Sequence, residues 1–181
     1  MADKDLRELY KNVDSILSTV NVGKIDPNAP DYEDLPDGYY LCEVQKLELC
    51  VSKKGNLQVK GAFKTVEEGL AVTIDEDGES QLTPVEKTKD KVFYKYWTLS
   101  EKKDVEKFIK DMLKFEGDEP GVPLLEKEYF LNSEVLEQAL EVLQGMNIYA
   151  QVSTSKNKEG ETSSWKNLIS WSRAQSLGLV E

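Results

Sequence analysis

Residues 35–56 read LPDGYYLCEVQKLELCVSKKGN, and this stretch decides the fold that the sequence predicts. A Pro-Asp-Gly turn opens it, and a run rich in strand-forming residues follows from 39 to 51. Apolar residues occupy the even positions up to Val44 and the odd positions from Leu47 onward. Because one extra residue reverses the inward face of a strand, we predict a β-bulge in one long, bent strand.

The rest of the domain alternates short strands with amphipathic helices. After the basic turn at 52–56, the expected segments are strands at 57–66 and 91–99, helices at 105–115 and 133–143, and strands at 146–155 and 164–171. Three strands, helices and two further strands follow the order of a five-stranded Greek-key barrel of the oligonucleotide-binding (OB) type. The predicted fold class is therefore α+β, mainly β.

Three segments lie outside this predicted barrel domain, which spans 35–172. Residues 1–34 predict an amphipathic helix and a linker; the apolar stripe of the helix must be buried against the barrel or in a homodimer. Residues 67–90 hold eight acidic and two basic residues and predict an exposed, mobile loop with a weak hairpin at Asp77-Gly78. Residues 173–181 carry little signal and are expected to form a tail.

Composition excludes several classes of function. The 181 residues include no histidine, which removes histidine bases and histidine metal sites. We see no catalytic constellation, so we expect neither an enzyme nor a cofactor. Cys42 and Cys50 lie eight apart in one strand, too far for a disulfide. Buried thiols, no signal peptide and no membrane span together predict a cytoplasmic protein without a membrane partner.

The net charge of −11, which alone argues against a polyanion partner, is unevenly distributed. The strand regions 38–66, 91–98 and 146–171 together carry +6, and the remaining residues carry −17. A cationic sheet in an acidic protein is compatible with a nucleic-acid groove. The alternative is that helices are rich in Glu and strands are not, through propensity alone.

Aromatic residues alternate with the lysines of these strands, as a platform for unpaired bases requires. If Tyr94 and Tyr96 point inward, Phe93 and Trp97 lie outside; a shift of one residue makes the tyrosines the platform instead. Each aromatic residue could alternatively be part of the core. The predicted nucleic-acid-binding residues are Lys53, Lys54, Lys60, Lys64, Phe93, Lys95, Trp97, Tyr149, Lys156, Lys158 and Trp165.

The motif Leu35-Pro36-x-Gly38-x-Tyr40, followed by Glu48 and by the turn SKKGN at 52–56, resembles a family of phage and prophage proteins. These proteins are similar to OB-fold single-stranded DNA-binding proteins. The resemblance covers roughly 31–171, and the chain departs from it in the acidic segment 67–90 and in the N-terminal helix. It implies a role in replication or recombination in the cytoplasm of a bacterial host, with phage or host replication or recombination proteins as further partners.

Two functions from different classes follow. The first is a non-enzymatic protein that binds single-stranded DNA with little sequence preference through its cationic strands. The second is a protein-interaction module on an OB barrel, whose acidic surfaces engage a basic partner protein. The two hypotheses differ in which surface is active.

Overall fold

The computed structural model describes residues 2–24, 27 and 35–180. The chain divides into two compact units, Met1–Asp31 and Tyr32–Glu181. The first holds helix α1 (Ala2–Leu17) and a 3₁₀ turn (Val22–Lys24).

Helix α1 confirms the predicted N-terminal helix, and apolar side chains in the described part of its stripe are exposed. Val13, Ile16 and Leu17 are at least half exposed. The side chains of Leu6 and Leu9 lie outside the described residues, as does most of the predicted linker. No helix in the described ranges is long and apolar enough to cross a membrane.

The second unit is α+β, mainly β. Its elements in chain order are β1 (Gly38–Val51), β2 (Leu57–Thr65), β3 (Gly69–Ile74), β4 (Ser80–Val85), β5 (Val92–Thr98), α2 (Lys102–Met112), a 3₁₀ turn (Lys127–Phe130), α3 (Ser133–Leu143), β6 (Asn147–Lys156), β7 (Thr162–Ile169) and α4 (Trp171–Ser176). The strands form one antiparallel sheet, in which β1 pairs with β2, β3 and β6, β2 with β5, β3 with β4, and β6 with β7.

The predicted bulge in β1 is confirmed. Val44 pairs with Phe63 and Lys46 pairs with Ala62, so Gln45 is the extra residue. The buried side chains accordingly change from even positions to odd ones between Val44 and Leu47. The resulting bend lets β1 pair with β6 along its first half and with β2 along most of its length.

The prediction of a closed five-stranded barrel is wrong in strand number and in closure. The segment predicted as a loop supplies two more strands, β3 and β4, because Leu70, Leu82 and their neighbours give it apolar side chains to bury. Within residues 35–180, no backbone ladder joins β5 to β7, so the seven-stranded sheet is open. We call this gap between β5 and β7 the seam.

Hydrogen bonds hold the base of the acidic β3–β4 hairpin in place. The Glu68 carboxylate accepts hydrogen bonds from the backbone N–H groups of Thr88 (2.6 Å) and Lys89 (3.1 Å). These bonds, the one from Thr88 above all, lower the pKa of Glu68. The buried Thr88 hydroxyl accepts a further bond from the Gly69 N–H at 2.8 Å. The hairpin expected at Asp77-Gly78 is present, with Asp75 N–H bonded to the Glu79 carbonyl.

Two apolar clusters hold the unit together. The larger lies between the sheet and the helices α2 and α3, with Phe63, Phe93, Phe108 and Leu140 each at most 1% exposed. The smaller one includes residues of the predicted tail: Ala174 and Leu179 are buried with Tyr149 and Ile169. The C-terminal residues up to Val180 are therefore part of the folded unit.

Candidate nucleic-acid interface

The inward face of β5 is the opposite of the one predicted. Phe93 and Trp97 are 1% and 6% exposed, and they pair in register with the buried residues Phe63 and Val59 of β2. The Phe63 and Phe93 rings stack at a centroid distance of 5.2 Å. Both faces of β5 carry aromatic residues, and the partner strand decides between them, because the face that lies opposite Phe63 and Val59 is buried with those residues. Phe93 and Trp97 therefore cannot serve as an exposed stacking platform.

The outer face of β2 and β5 instead presents lysines and tyrosines, and we call Lys60, Lys64, Tyr94 and Tyr96 the Lys–Tyr face. Lys60 and Lys64 point outward as predicted, because Val59 and Phe63 point inward. The Lys60 Nζ lies 5.0 Å from the centroid of the Tyr94 ring, which is cation–π distance. Tyr96, the cross-strand partner of Lys60, is 54% exposed.

Acidic groups limit the positive charge of this face. Lys64 forms an ion pair with Asp90 at 3.1 Å. On the neighbouring strand, Glu48 lies opposite Lys60 and pairs with Lys46 at 2.7 Å. The Lys–Tyr face is thus a mixed surface in which Tyr96 is the most exposed ring.

Lys95 lies in the seam and not on the outer face. Its Nζ donates a 2.6 Å hydrogen bond to the backbone carbonyl of Lys166 in β7 and lies 3.9 Å from Asp111 Oδ2. Burial lowers the pKa of Lys95, and the nearby Asp111 carboxylate partly opposes that shift. The same carboxylate accepts bonds from the Trp97 indole N–H (2.8 Å) and from Lys114 Nζ (2.7 Å).

A groove of about 430 Å³ opens at the seam, between β5, α2 and β7. We call it the seam groove. Its lining comprises Lys95, Tyr96, Trp97, Thr98, Asp104, Lys107, Lys110, Asp111, Lys114, Trp165 and Asn167. Four lysines against two aspartates give this groove a net charge of +2 in a chain of −11.

Trp165 is exposed on this groove as predicted. It is 59% exposed, and its indole N–H donates to Ser155 Oγ at 3.2 Å. Lys107, Lys110 and Lys114 were not predicted, because the charge prediction concerned the strands alone: Lys107 and Lys110 lie on helix α2, and Lys114 lies in the turn that follows it. Their spacing of three and four residues along the chain was the available signal.

The remaining predicted residues are divided between exposed turns and the core. Lys53 and Lys54 lie exposed in the β1–β2 turn, and Lys156 and Lys158 lie exposed at the β6–β7 turn. Tyr149 was expected on an outer face and is 4% exposed, so that prediction is wrong. The C-terminal segment covers it: its hydroxyl donates to the Leu179 carbonyl at 3.3 Å, and its ring contacts that of Trp171.

Neither a protein-family model nor a curated protein matches this sequence. In the part of the chain that the structure describes, no group of three or more Cys, Asp or Glu side chains is placed to hold a metal ion. The Lys–Tyr face and the seam groove are the candidate binding surfaces of the described domain.

Proposed function

We propose that this chain is a non-enzymatic protein that binds single-stranded DNA with little sequence preference. The observation that carries the proposal is the Lys–Tyr face, where Lys60 lies over the Tyr94 ring and beside the exposed Tyr96. Bases stack on exposed aromatic rings for about 1–3 kcal/mol each, and lysines neutralise phosphates. Because every base has a π-face, such a surface binds without reading sequence.

We further propose that the domain is an opened OB-type unit with an inserted hairpin. Without β3 and β4, the pairing path runs β5-β2-β1-β6-β7, and α2 and α3 lie in the chain between β5 and β6. This is the connectivity expected of an OB fold. The Lys95–Lys166 bond crosses the seam where a closed barrel would have its last strand contact. The resemblance in 35–56 supports the same assignment and a phage or prophage origin, with a role in replication or recombination.

A titration of the full chain with fluorescently labelled oligothymidine tests this function. We expect binding at low salt, weaker binding at higher salt, and lower affinity for a duplex of equal length. Tyr96→Ala should lower the affinity by about 1–3 kcal/mol. Tyr10→Ala is the matched control, because Tyr10 is 65% exposed but lies on α1. A folded parent chain that binds no single strand at low salt would exclude the proposal.

One observation favours the second function, a module that binds a basic partner protein. Val72 and Ile74 are 55% and 73% exposed on β3, next to the acidic turn that contains Asp75 and Glu79. An exposed apolar pair beside acidic groups is suited to a basic, amphipathic partner. If the oligonucleotide titration fails, this hairpin is the surface to test next.

A further inference from the structure

We propose that the single strand continues from the Lys–Tyr face into the seam groove, where Lys107 and Lys110 of α2 bind its phosphates and Trp165 stacks on a base. This inference rests on the proposed function and extends its binding path onto a helix. Tyr96 connects the two surfaces, because it belongs to the Lys–Tyr face and also lines the seam groove. The volume of about 430 Å³ falls within the usual range of ligand clefts, roughly 300–1,000 Å³.

The two lysines differ from the other cations of the groove in their partners. Lys95 and Lys114 are both engaged with Asp111. Among the described residues, neither Lys107 nor Lys110 has an ion-pair partner, and both are exposed. They lie three residues apart, so they occupy neighbouring positions on α2. Exposed ammonium groups of this kind release counterions from a polyanion when they bind it.

The acidic groups of the groove are already neutralised or hydrogen-bonded. Asp111 accepts bonds from Trp97 and Lys114, and Asp104 lies 3.3 Å from the Ser100 hydroxyl. Because the four lysines of the groove outnumber its two aspartates, the surplus charge is positive and favours an anionic ligand.

Trp165 supplies the stacking surface. Its bond to Ser155 holds the indole on the β6–β7 pair, while more than half of the side chain remains exposed. An ordered ring loses little side-chain entropy when a base stacks on it. An anionic ligand that also offers flat aromatic rings is a single-stranded nucleic acid rather than an acidic peptide.

The decisive comparison is between two double variants of α2. Lys107→Ala/Lys110→Ala removes the two groove lysines, and Lys102→Ala/Lys103→Ala removes two exposed lysines of the same helix that do not line the groove. For oligothymidine, the groove variant should lower the slope of log K against log salt by about 1.4, which corresponds to two lost phosphate contacts at roughly 0.7 each. The control variant should keep the parent slope. Equal slopes for both variants would overturn the inference.

Tryptophan fluorescence tests the stacking step. Oligothymidine should quench the emission of the parent chain, and Trp165→Phe should lose that quenching. Trp171→Phe, which alters the other exposed tryptophan, should retain it. Quenching that survives Trp165→Phe would overturn the stacking role.

Two further outcomes separate this inference from the proposed function. If the parent chain binds no oligothymidine, both fall. If it binds and the groove variant binds like the parent, only the groove assignment falls. Polyglutamate that competes as strongly as oligothymidine at equal charge would overturn the nucleic-acid assignment of the groove.

Discussion

The Lys95 ammonium donates a 2.6 Å hydrogen bond to the backbone carbonyl of Lys166. This bond joins β5 to β7 across the seam, where the backbones of the two strands form no ladder in the described domain. The Lys95 side chain is only 20% exposed, so water competes weakly for the bond. One charged side chain therefore supplies a hydrogen bond between two strands whose backbones are not paired.

Replacing Lys95 with Met tests this contribution. The substitution keeps the length of the side chain and removes the donor. A hydrogen bond from a charged group contributes about 1.5–3 kcal/mol, and part of that is offset because the variant no longer buries an ammonium group. We expect the free energy of unfolding in urea to fall by about 1–2 kcal/mol. Lys107→Met, on the exposed face of α2, should change it by less than about 0.5 kcal/mol; equal stabilities of the two variants would contradict the role of the bond.

Tyr96 and Trp97 of β5 provide a second test, which distinguishes an exposed side chain from a core side chain. Trp97→Ala empties a core position and removes the bond to Asp111, so it should cost about 3–5 kcal/mol of unfolding free energy. Tyr96→Ala alters an exposed position and should cost less than about 1 kcal/mol. Thermal and urea unfolding measure both. A stable Trp97→Ala and an unfolded Tyr96→Ala would mean that β5 faces the other way.

The contrast between β1 and β5 shows how far the sequence alone could go. In β1, polar residues alternate with apolar ones, so the inward face and the bulge at Gln45 follow from the pattern. In β5, aromatic residues occupy both faces, and the choice depends on the partner strand: Phe93 and Trp97 pair with buried residues of β2. Periodicity within one strand carries no information about that pairing.

The seam groove could not be predicted from the sequence, for a similar reason. It is formed by three elements, β5, α2 and β7, that are distant in the chain. Trp165 was predicted to bind nucleic acid, but nothing near it in the sequence indicates that α2 supplies the lysines that face it. The burial of Tyr149 likewise depends on the C-terminal residues, whose short helix α4 has too few residues for a clear periodic signal.

Thiol reactivity should distinguish the two cysteines. Both are free; Cys42 is fully buried, and Cys50 is half-buried near the end of β1. Burial also raises the pKa of the Cys42 thiol, which disfavours the reactive thiolate. An aromatic disulfide reagent should modify one thiol in the folded protein and the second only after denaturation. Cys50→Ser should abolish the first phase, and two thiols reacting at equal rates in the folded chain would contradict the burial of Cys42.

Tyr40 should make the folded unit less stable at alkaline pH. Its ring is buried, and its hydroxyl donates a 2.7 Å bond to the Pro36 carbonyl. Burial, followed by the charges of Asp37 and Cys42, raises the pKa of Tyr40 from 10.0 to about 12. The unfolded chain loses this proton at a lower pH than the folded chain does. The contribution of protonated Tyr40 to the free energy of unfolding is therefore complete below pH 10 and is lost as the pH rises towards 12. Two pKa units correspond to about 2.7 kcal/mol at most.

Tyr40→Phe should remove that part of the pH dependence. At neutral pH we expect the variant to be about 0.5–1.5 kcal/mol less stable in urea, because the bond to Pro36 is lost. Between pH 10 and 12 the parent should lose stability faster than the variant, so that their difference shrinks. Cys42, whose pKa is also raised, contributes its own alkaline loss to both proteins, so the difference between them reports Tyr40 together with its coupling to Cys42. Parallel stability curves across this range would show that the Tyr40 hydroxyl is no harder to ionise in the folded chain than in the unfolded one.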